Sequence, residues 1–180
     1  MNENNMFGPS DPTWFYACAI VRDLDTGRLL LEHRTDDAPV NPGQWGFFGG
    51  GAEPRESPEA CLLRELKEEL DVTLQVSDLS AWTSYVNPRT SRRRHVFEVT
   101  AIRESSALAH TEGAGLGWVD VESAFQLGLS TSTRRDLEAY ARGAIAVEPA
   151  VGADARAARL PNRSTDSPLE IPCAPCKVVR

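Results

Sequence analysis

The chain has 180 residues, 41% of them hydrophobic, which suits one domain with a packed core and leaves residues over for a tail. A formal net charge of -7 argues against a nonspecific nucleic-acid binder, which usually carries a basic excess, but not against an anionic substrate, because local charge and a bound cation outweigh the total. Four cysteines, Cys18, Cys61, Cys173 and Cys176, do not make a disulfide framework at this length.

Residues 1–12 are polar, with Gly8, Pro9 and Pro12, and read as a flexible arm. They hold no basic segment followed by an apolar one, and the apolar run from Trp14 to Val21 is far too short to span a bilayer. A soluble, cytoplasmic protein without a membrane partner is expected. WFYACAIVRD (14–23) reads as a buried strand, Asp25-Thr26-Gly27 as a turn and RLLLEHR (28–34) as the second strand of a hairpin. TDDAPVNPGQW is a loop, and GFF leads into three glycines, Gly49 to Gly51.

A helix follows. Ser57 suits its N-cap, Pro58 its first position and Glu59 its positive end, and Leu70 is its expected last residue. LSAWTSYVN (79–87) and HVFEVTAIR (95–103) read as strands joined by PRTSRRR, and GLGWVDV (115–121) holds another short strand. ESAFQL, started by Asp120, and TRRDLEAYAR, started near Thr131 or Ser132, read as closing helices. Strands outnumber helices and mostly follow as hairpins, so a layered α+β domain over 13–142 is predicted. From 143 to 180 the chain is rich in Ala, Pro, Gly and Arg and lacks aromatic residues, which predicts a disordered or loosely packed tail.

The helix beginning near Pro58 carries Glu65, Glu68 and Glu69. At about 100° per residue they share one side, with Leu63, Leu66 and Leu70 roughly opposite and Arg64 beside the acids. Like charges at this spacing repel by about 0.2–0.5 kcal/mol per pair. Either the face is solvated or it holds a cation. The glycine run just before the helix favours the cation, since it lets backbone approach a ligand and lets Gly49 offer a carbonyl oxygen. Hard divalent ions take oxygen donors and reach proteins through a few carboxylates plus substrate phosphates, so the pattern points to phosphoryl chemistry.

These residues resemble the Nudix box, G-x5-E-x7-R-E-U-x-E-E-x-G-U with U aliphatic. The sequence supplies Gly50, Glu56, Arg64, Glu65, Leu66, Glu68, Glu69 and Val72, and departs at one position, where Asp71 replaces glycine. NPGQWGFFGG resembles the family's approach to the box, with Phe48 where proline is frequent, and EGAGLGW (112–118) resembles a segment of many members. The resemblance spans roughly 14–142. It implies an α/β/α sandwich around a mixed sheet, and Mg²⁺- or Mn²⁺-dependent hydrolysis of a diphosphate linked to another group. By the same resemblance, Glu65 and Glu69 are main metal ligands, Glu68 a ligand or water-orienting base, and the Gly49 carbonyl a further ligand. Arg64 holds the acids, Glu56 pairs with Arg64, and Glu112 is a base or ligand where it is not an ordinary loop acid. Asp71 is expected in a left-handed conformation at a cost of about 1 kcal/mol and without loss of catalysis. Many relatives are dimers, so a homodimer stays open beside a monomer.

Other signals are less specific. Arg89, Arg92, Arg93 and Arg94 form either a phosphate- or ribose-binding patch or a solvated hairpin tip. Trp45 and Phe47 stack on a base or pack in the core, and Trp82 and Tyr85 pose the same choice. His33 and His95 suit structural roles. Cys173 and Cys176 resemble half a zinc knuckle without its second pair. Pro88, sixteen residues past Val72, resembles a proline of ADP-ribose-hydrolysing members. The expected function is therefore a pyrophosphohydrolase of nucleoside diphosphate derivatives, with ADP-ribose or a nucleotide sugar ahead of a nucleoside triphosphate, ordinary or oxidised. The alternatives are a ligand sensor that has lost its activity and an isopentenyl-diphosphate-isomerase-like enzyme, which needs a reactive cysteine.

Overall fold

The first strand, β1 (Phe15–Arg22), runs through the middle of the sheet because its residues are apolar on both faces. Ala17, Ala19 and Val21 join one core, while Cys18 and Ile20 join the other. A turn containing Gly27, at φ +72°, leads into β2 (Leu29–His33). The chain is described by a computed structural model over residues 14–143 and the backbone of 177–179. The N-terminal arm, most of the expected tail and the Cys173–Cys176 pair lie outside the described residues.

Strands β1 and β2 pair antiparallel only near the turn, at Val21↔Leu30 and Arg22↔Leu29. Beyond that they diverge. The short strands β3 (Trp45–Gly46) and β4 (Phe48–Gly51) fill the wedge, β3 pairing with β2 and β4 with the first half of β1. Next come β5 (Leu79–Asn87), β6 (Arg92–Val99) and β7 (Gly115–Val119). The path across the sheet is β5-β6-β1-β2-β7-β8, with β8 being Lys177–Val179 on the edge of β7. The end of the expected tail thus contributes a strand. The β1–β6 pair is parallel, unlike the hairpins around it, so the sheet is mixed.

Helix α1 (Pro58–Leu70) covers one face. Its Cys61, Leu62, Leu66 and Leu70 are buried with Ala17, Leu30, Phe48 and Phe97. Each such leucine contributes about 1.5–3 kcal/mol, and Leu66→Ala would cost about 2–5 kcal/mol. Ser57 caps the helix by accepting from the Ala60 amide, and Asp71 ends it at φ +54°, both as the sequence predicts. The short α2 (Val121–Ala124) and α3 (Thr131–Ala141) cover the other face, where Ala124 and Leu137 pack with Leu29, Leu31 and Tyr85. The result is an α/β/α sandwich.

One expectation needs correction and one open choice is resolved. Strand β6 begins at Arg92 and ends at Val99, earlier at both ends than 95–103. The intervening turn is correspondingly short, with Ser91 at φ +55°, so Arg92, Arg93 and Arg94 belong to a strand and not to a hairpin tip. The core-or-ligand question for Trp82 and Tyr85 resolves as core: Trp82 packs edge-on to Tyr140, and Tyr85 is buried with its hydroxyl donating to Asp136 at 2.7 Å. Among the described residues no helix is long and apolar enough to cross a membrane.

Candidate active site

The carboxylates of α1 meet the glycines of β4 at one end of the sheet. Glu69 is 4% exposed, and its Oε2 accepts from the Gly49 amide at 3.0 Å. Gly49 thus meets Glu69 through its N–H, a contact separate from the carbonyl expected to face a metal. Its φ of +128° and a Cβ that would lie 2.2 Å from the Ala17 carbonyl oxygen make glycine obligatory there. Gly50 leaves room for Glu65, whose Oε1 would lie 2.2 Å from any added Cβ.

Arg64 organises the rest. It makes a two-pronged contact with Glu56 at 3.0 and 3.1 Å, reaches Glu65 at 2.9 Å and Glu68 at 3.1 Å, and donates to the Gly51 carbonyl at 3.1 Å. These contacts hold the Glu56 carboxyl below its ordinary value, first through the Arg64 hydrogen bond, and push the Arg64 guanidinium up.

Glu69 is different. Burial, followed by the charges of Glu32 and Glu65, pushes its carboxyl up to about 9, and Glu112 adds to this; the Gly49 amide opposes it. Glu65 is raised as well, chiefly by burial. Glu112 is exposed on the loop before β7 and acts on Glu32, Glu65 and Glu69 alike. That loop is tied to α1, since Thr111 donates its amide to the Glu69 carbonyl at 3.3 Å and its hydroxyl to the Glu68 carbonyl.

Burial and neighbouring carboxylates thus dispose Glu69 and Glu65 to hold a proton or a cation, and their oxygens are the donor set a hard divalent cation takes. Glu65 and Glu68 are turned onto Arg64, and among the described residues no group of three His, Cys, Asp or Glu is already gathered in metal-holding geometry. The residues fit such an ion once the two side chains leave Arg64.

Beside the carboxylates lies a cavity of about 560 Å³ lined by Trp14, Tyr16, Glu32, Arg34, Trp45, Phe47, Arg89, Arg92 and the start of α3, among others. The four residues singled out for substrate contact, Trp45, Phe47, Arg89 and Arg92, come together here. Trp45 stacks on His33 with ring centroids 4.7 Å apart, while Phe47 is 7% exposed and is mainly core. The guanidinium of Arg92 lies 4.5 Å from the Trp14 ring centre, and Arg89 donates to Thr131 at 2.8 Å. Arg94 instead is buried against Asp136 at 2.8 Å. The pocket wall is fastened by backbone bonds from Trp45 to the Gly128 carbonyl and from Ser130 to the Trp45 carbonyl, both 2.9 Å. Sequence reasoning missed Glu32, Arg34 and Trp14, which share no motif. It also missed His110, whose buried Nε2 has no partner. His95 packs edge-on to Phe15, as a structural role requires.

A carboxylate helix abutting a glycine strand beside a nucleotide-sized cavity is joined by a direct sequence match, since residues 14–140 fit the NUDIX domain model. The chain belongs to the Nudix family. It is a hydrolase acting on phosphoric anhydride bonds, as Nudix homologues are. This Nudix chain is 30% identical over 130 residues to "Nucleoside triphosphatase NudI" of Escherichia coli (strain K12 / DH10B), an alignment covering 67% of this chain and 91% of the relative. The solution structure of the E. coli ORF135 protein superposes with a TM-score of 0.60 at 29% identity, covering 79% of this chain and 99% of that one. The MutT protein of Methanosarcina mazei Go1 superposes at 0.59 and 21% identity, covering 76% and 98%, a likeness of fold. Nudix enzymes generally use divalent metals and act on small nucleotide substrates.

Proposed function

We propose that this Nudix hydrolase cleaves nucleoside triphosphates with Mg²⁺ or Mn²⁺, the domain of residues 13–142 carrying the activity. The observation that carries the reading is the buried Glu69, crowded by Glu32, Glu65 and Glu112, with Glu32 also lining the pocket that holds Trp45, Arg89 and Arg92. A triphosphate substrate moves ahead of ADP-ribose and nucleotide sugars because of the relative named a nucleoside triphosphatase.

Glu65, Glu68 and Glu69 are the residues that would hold the cation. When bound, it supplies neutralisation of the phosphate oxygens and a water of lowered pKa. Glu112, exposed and within electrostatic reach of Glu65 and Glu69, is assigned the removal of the water's proton. Arg64 keeps Glu65 and Glu68 ordered until they turn to the cation. Trp45 offers an aromatic face to the base, and Arg89 and Arg92 offer charge to the phosphates or sugar.

Two features speak for hydrolysis over sensing or isomerisation. Every box carboxylate is present, and both described cysteines, Cys18 and Cys61, are buried with thiols pushed up to about 12 by burial, which makes them poor nucleophiles. The test is a panel of ribo- and deoxynucleoside triphosphates, ADP-ribose and nucleotide sugars with Mg²⁺, read by monophosphate release. Turnover is expected for at least one triphosphate, and preferential turnover of ADP-ribose would reverse the order. A Glu112→Gln variant that retains full turnover would move the base to Glu68.

A further inference from the structure

We propose that Glu32 is a specificity-determining residue that accepts a hydrogen bond from a sugar hydroxyl of the substrate, an inference that rests on the triphosphatase reading above. Glu32 lies outside the box, in β2, opposite Gly46 of β3 where the sheet has split. Its side chain is 3% exposed, and its partner is Arg34, at 3.4 and 3.5 Å, the long end of a hydrogen bond. A carboxylate has about four acceptor positions, and buried acceptors are normally filled. Glu32 therefore carries acceptor capacity that the fold leaves open.

Its position is fixed. A Cβ on Gly113 would come within 2.7 Å of Glu32 Oε1, so the loop backbone lies directly against the carboxylate. Ala114 ties that loop to the His33 carbonyl at 2.7 Å, and Thr111 ties it to the Glu69 carbonyl at 3.3 Å. From the same loop, His110 presents a buried Nε2 without a hydrogen-bond partner.

The location selects the ligand group. Glu32 is the charge that acts most strongly on Glu69, and it also lines the cavity that holds Trp45 and Arg89. It thus stands between the carboxylates that would handle phosphate and the aromatic wall that would take the base. In a nucleotide the group between phosphate and base is the sugar, whose hydroxyls donate where a carboxylate can only accept.

The experiment is a cycle of enzyme and substrate changes. Wild type and Glu32→Ala are assayed with Mg²⁺ on the ribo-, 2′-deoxy- and 2′,3′-dideoxynucleoside triphosphates of one base. In wild type, removing the contacted hydroxyl should lower kcat/KM by about 10–100-fold, the range for a hydrogen bond to a charged group. In Glu32→Ala the series should be level within about 2-fold, since the partner is gone. A level series in wild type, or an unchanged penalty in the variant, overturns the proposal. Glu32→Gln, of the same shape but neutral, serves if the alanine variant does not fold. Its penalty should shrink to a few-fold, and an unchanged penalty is again fatal. Absence of triphosphate turnover in wild type defeats the functional reading and this inference together, whereas turnover without coupling defeats this inference alone.

Discussion

The carboxylates of α1 and the arginines of the β5–β6 hairpin handle charge in opposite ways. Arg94 is matched by Asp136 and backed by Tyr85, Arg93 reaches Ser84, Arg89 reaches Thr131 and Arg92 rests on Trp14. Arg94 is thus locked in place by an opposite charge, while Arg89 and Arg93 are positioned by neutral hydroxyls and keep their charge for a ligand. At the acidic end one guanidinium serves Glu56, Glu65 and Glu68, and the buried Glu69, held by the Gly49 amide, is crowded by Glu32 and Glu65. The Arg94–Asp136 pair holds a shape, and the crowded carboxylates are poised to take a cation.

The contrast can be broken by experiment. The largest effect is expected from Glu69→Gln, which should lower kcat with Mg²⁺ by about 10³-fold or more while the melting temperature holds or rises. Equal loss of turnover and fold would make Glu69 structural. Arg94→Met should do the reverse: it strands Asp136 in the core at a cost of about 3–5 kcal/mol in denaturant melts, with kcat little changed in the folded fraction.

A smaller effect concerns pH. The folded Glu69 carboxyl, at about 9, lies above its ordinary value of 4.5, so the folded state binds this proton more tightly. That contribution is complete below pH 4.5 and is lost as pH rises through 9. Metal-free protein should therefore melt lower at pH 9 than at pH 5 by more than Glu69→Gln does, and added Mg²⁺ should narrow the gap. Identical pH profiles in EDTA for both proteins would contradict the crowding of charge. The smallest effect is Asp71→Gly, expected to gain about 1 kcal/mol or less with kcat unchanged. It relieves the left-handed residue but removes the exposed ion pair with Lys67.

The same two regions differ in how far the sequence discloses them. Helix α1 is legible to the residue because its signals are local: Ser57 at the cap, Pro58 at the first position and leucines on one face. Strand β5 is legible for the same reason, being bounded by turn formers. The arginine wall is not, because Arg94 is stable inside a strand only through Asp136, forty-two residues away, and nothing near it announces that partner. Nor does the run LLLEH single out Glu32, whose surroundings come from β3, the loop before β7 and α1. The parallel β1–β6 pair likewise depends on residues far apart in the chain.

The parting of β1 and β2 around β3 and β4 has an evolutionary consequence. The carboxylates proposed to hold the cation belong to α1, packed on β4, whereas Trp45 belongs to β3 and Arg89 and Arg92 to the β5–β6 hairpin, so the two sets share no element. Mutations can therefore revise what the enzyme recognises without disturbing how it cuts, so descendants of one ancestor can diversify their diet while inheriting the same blade.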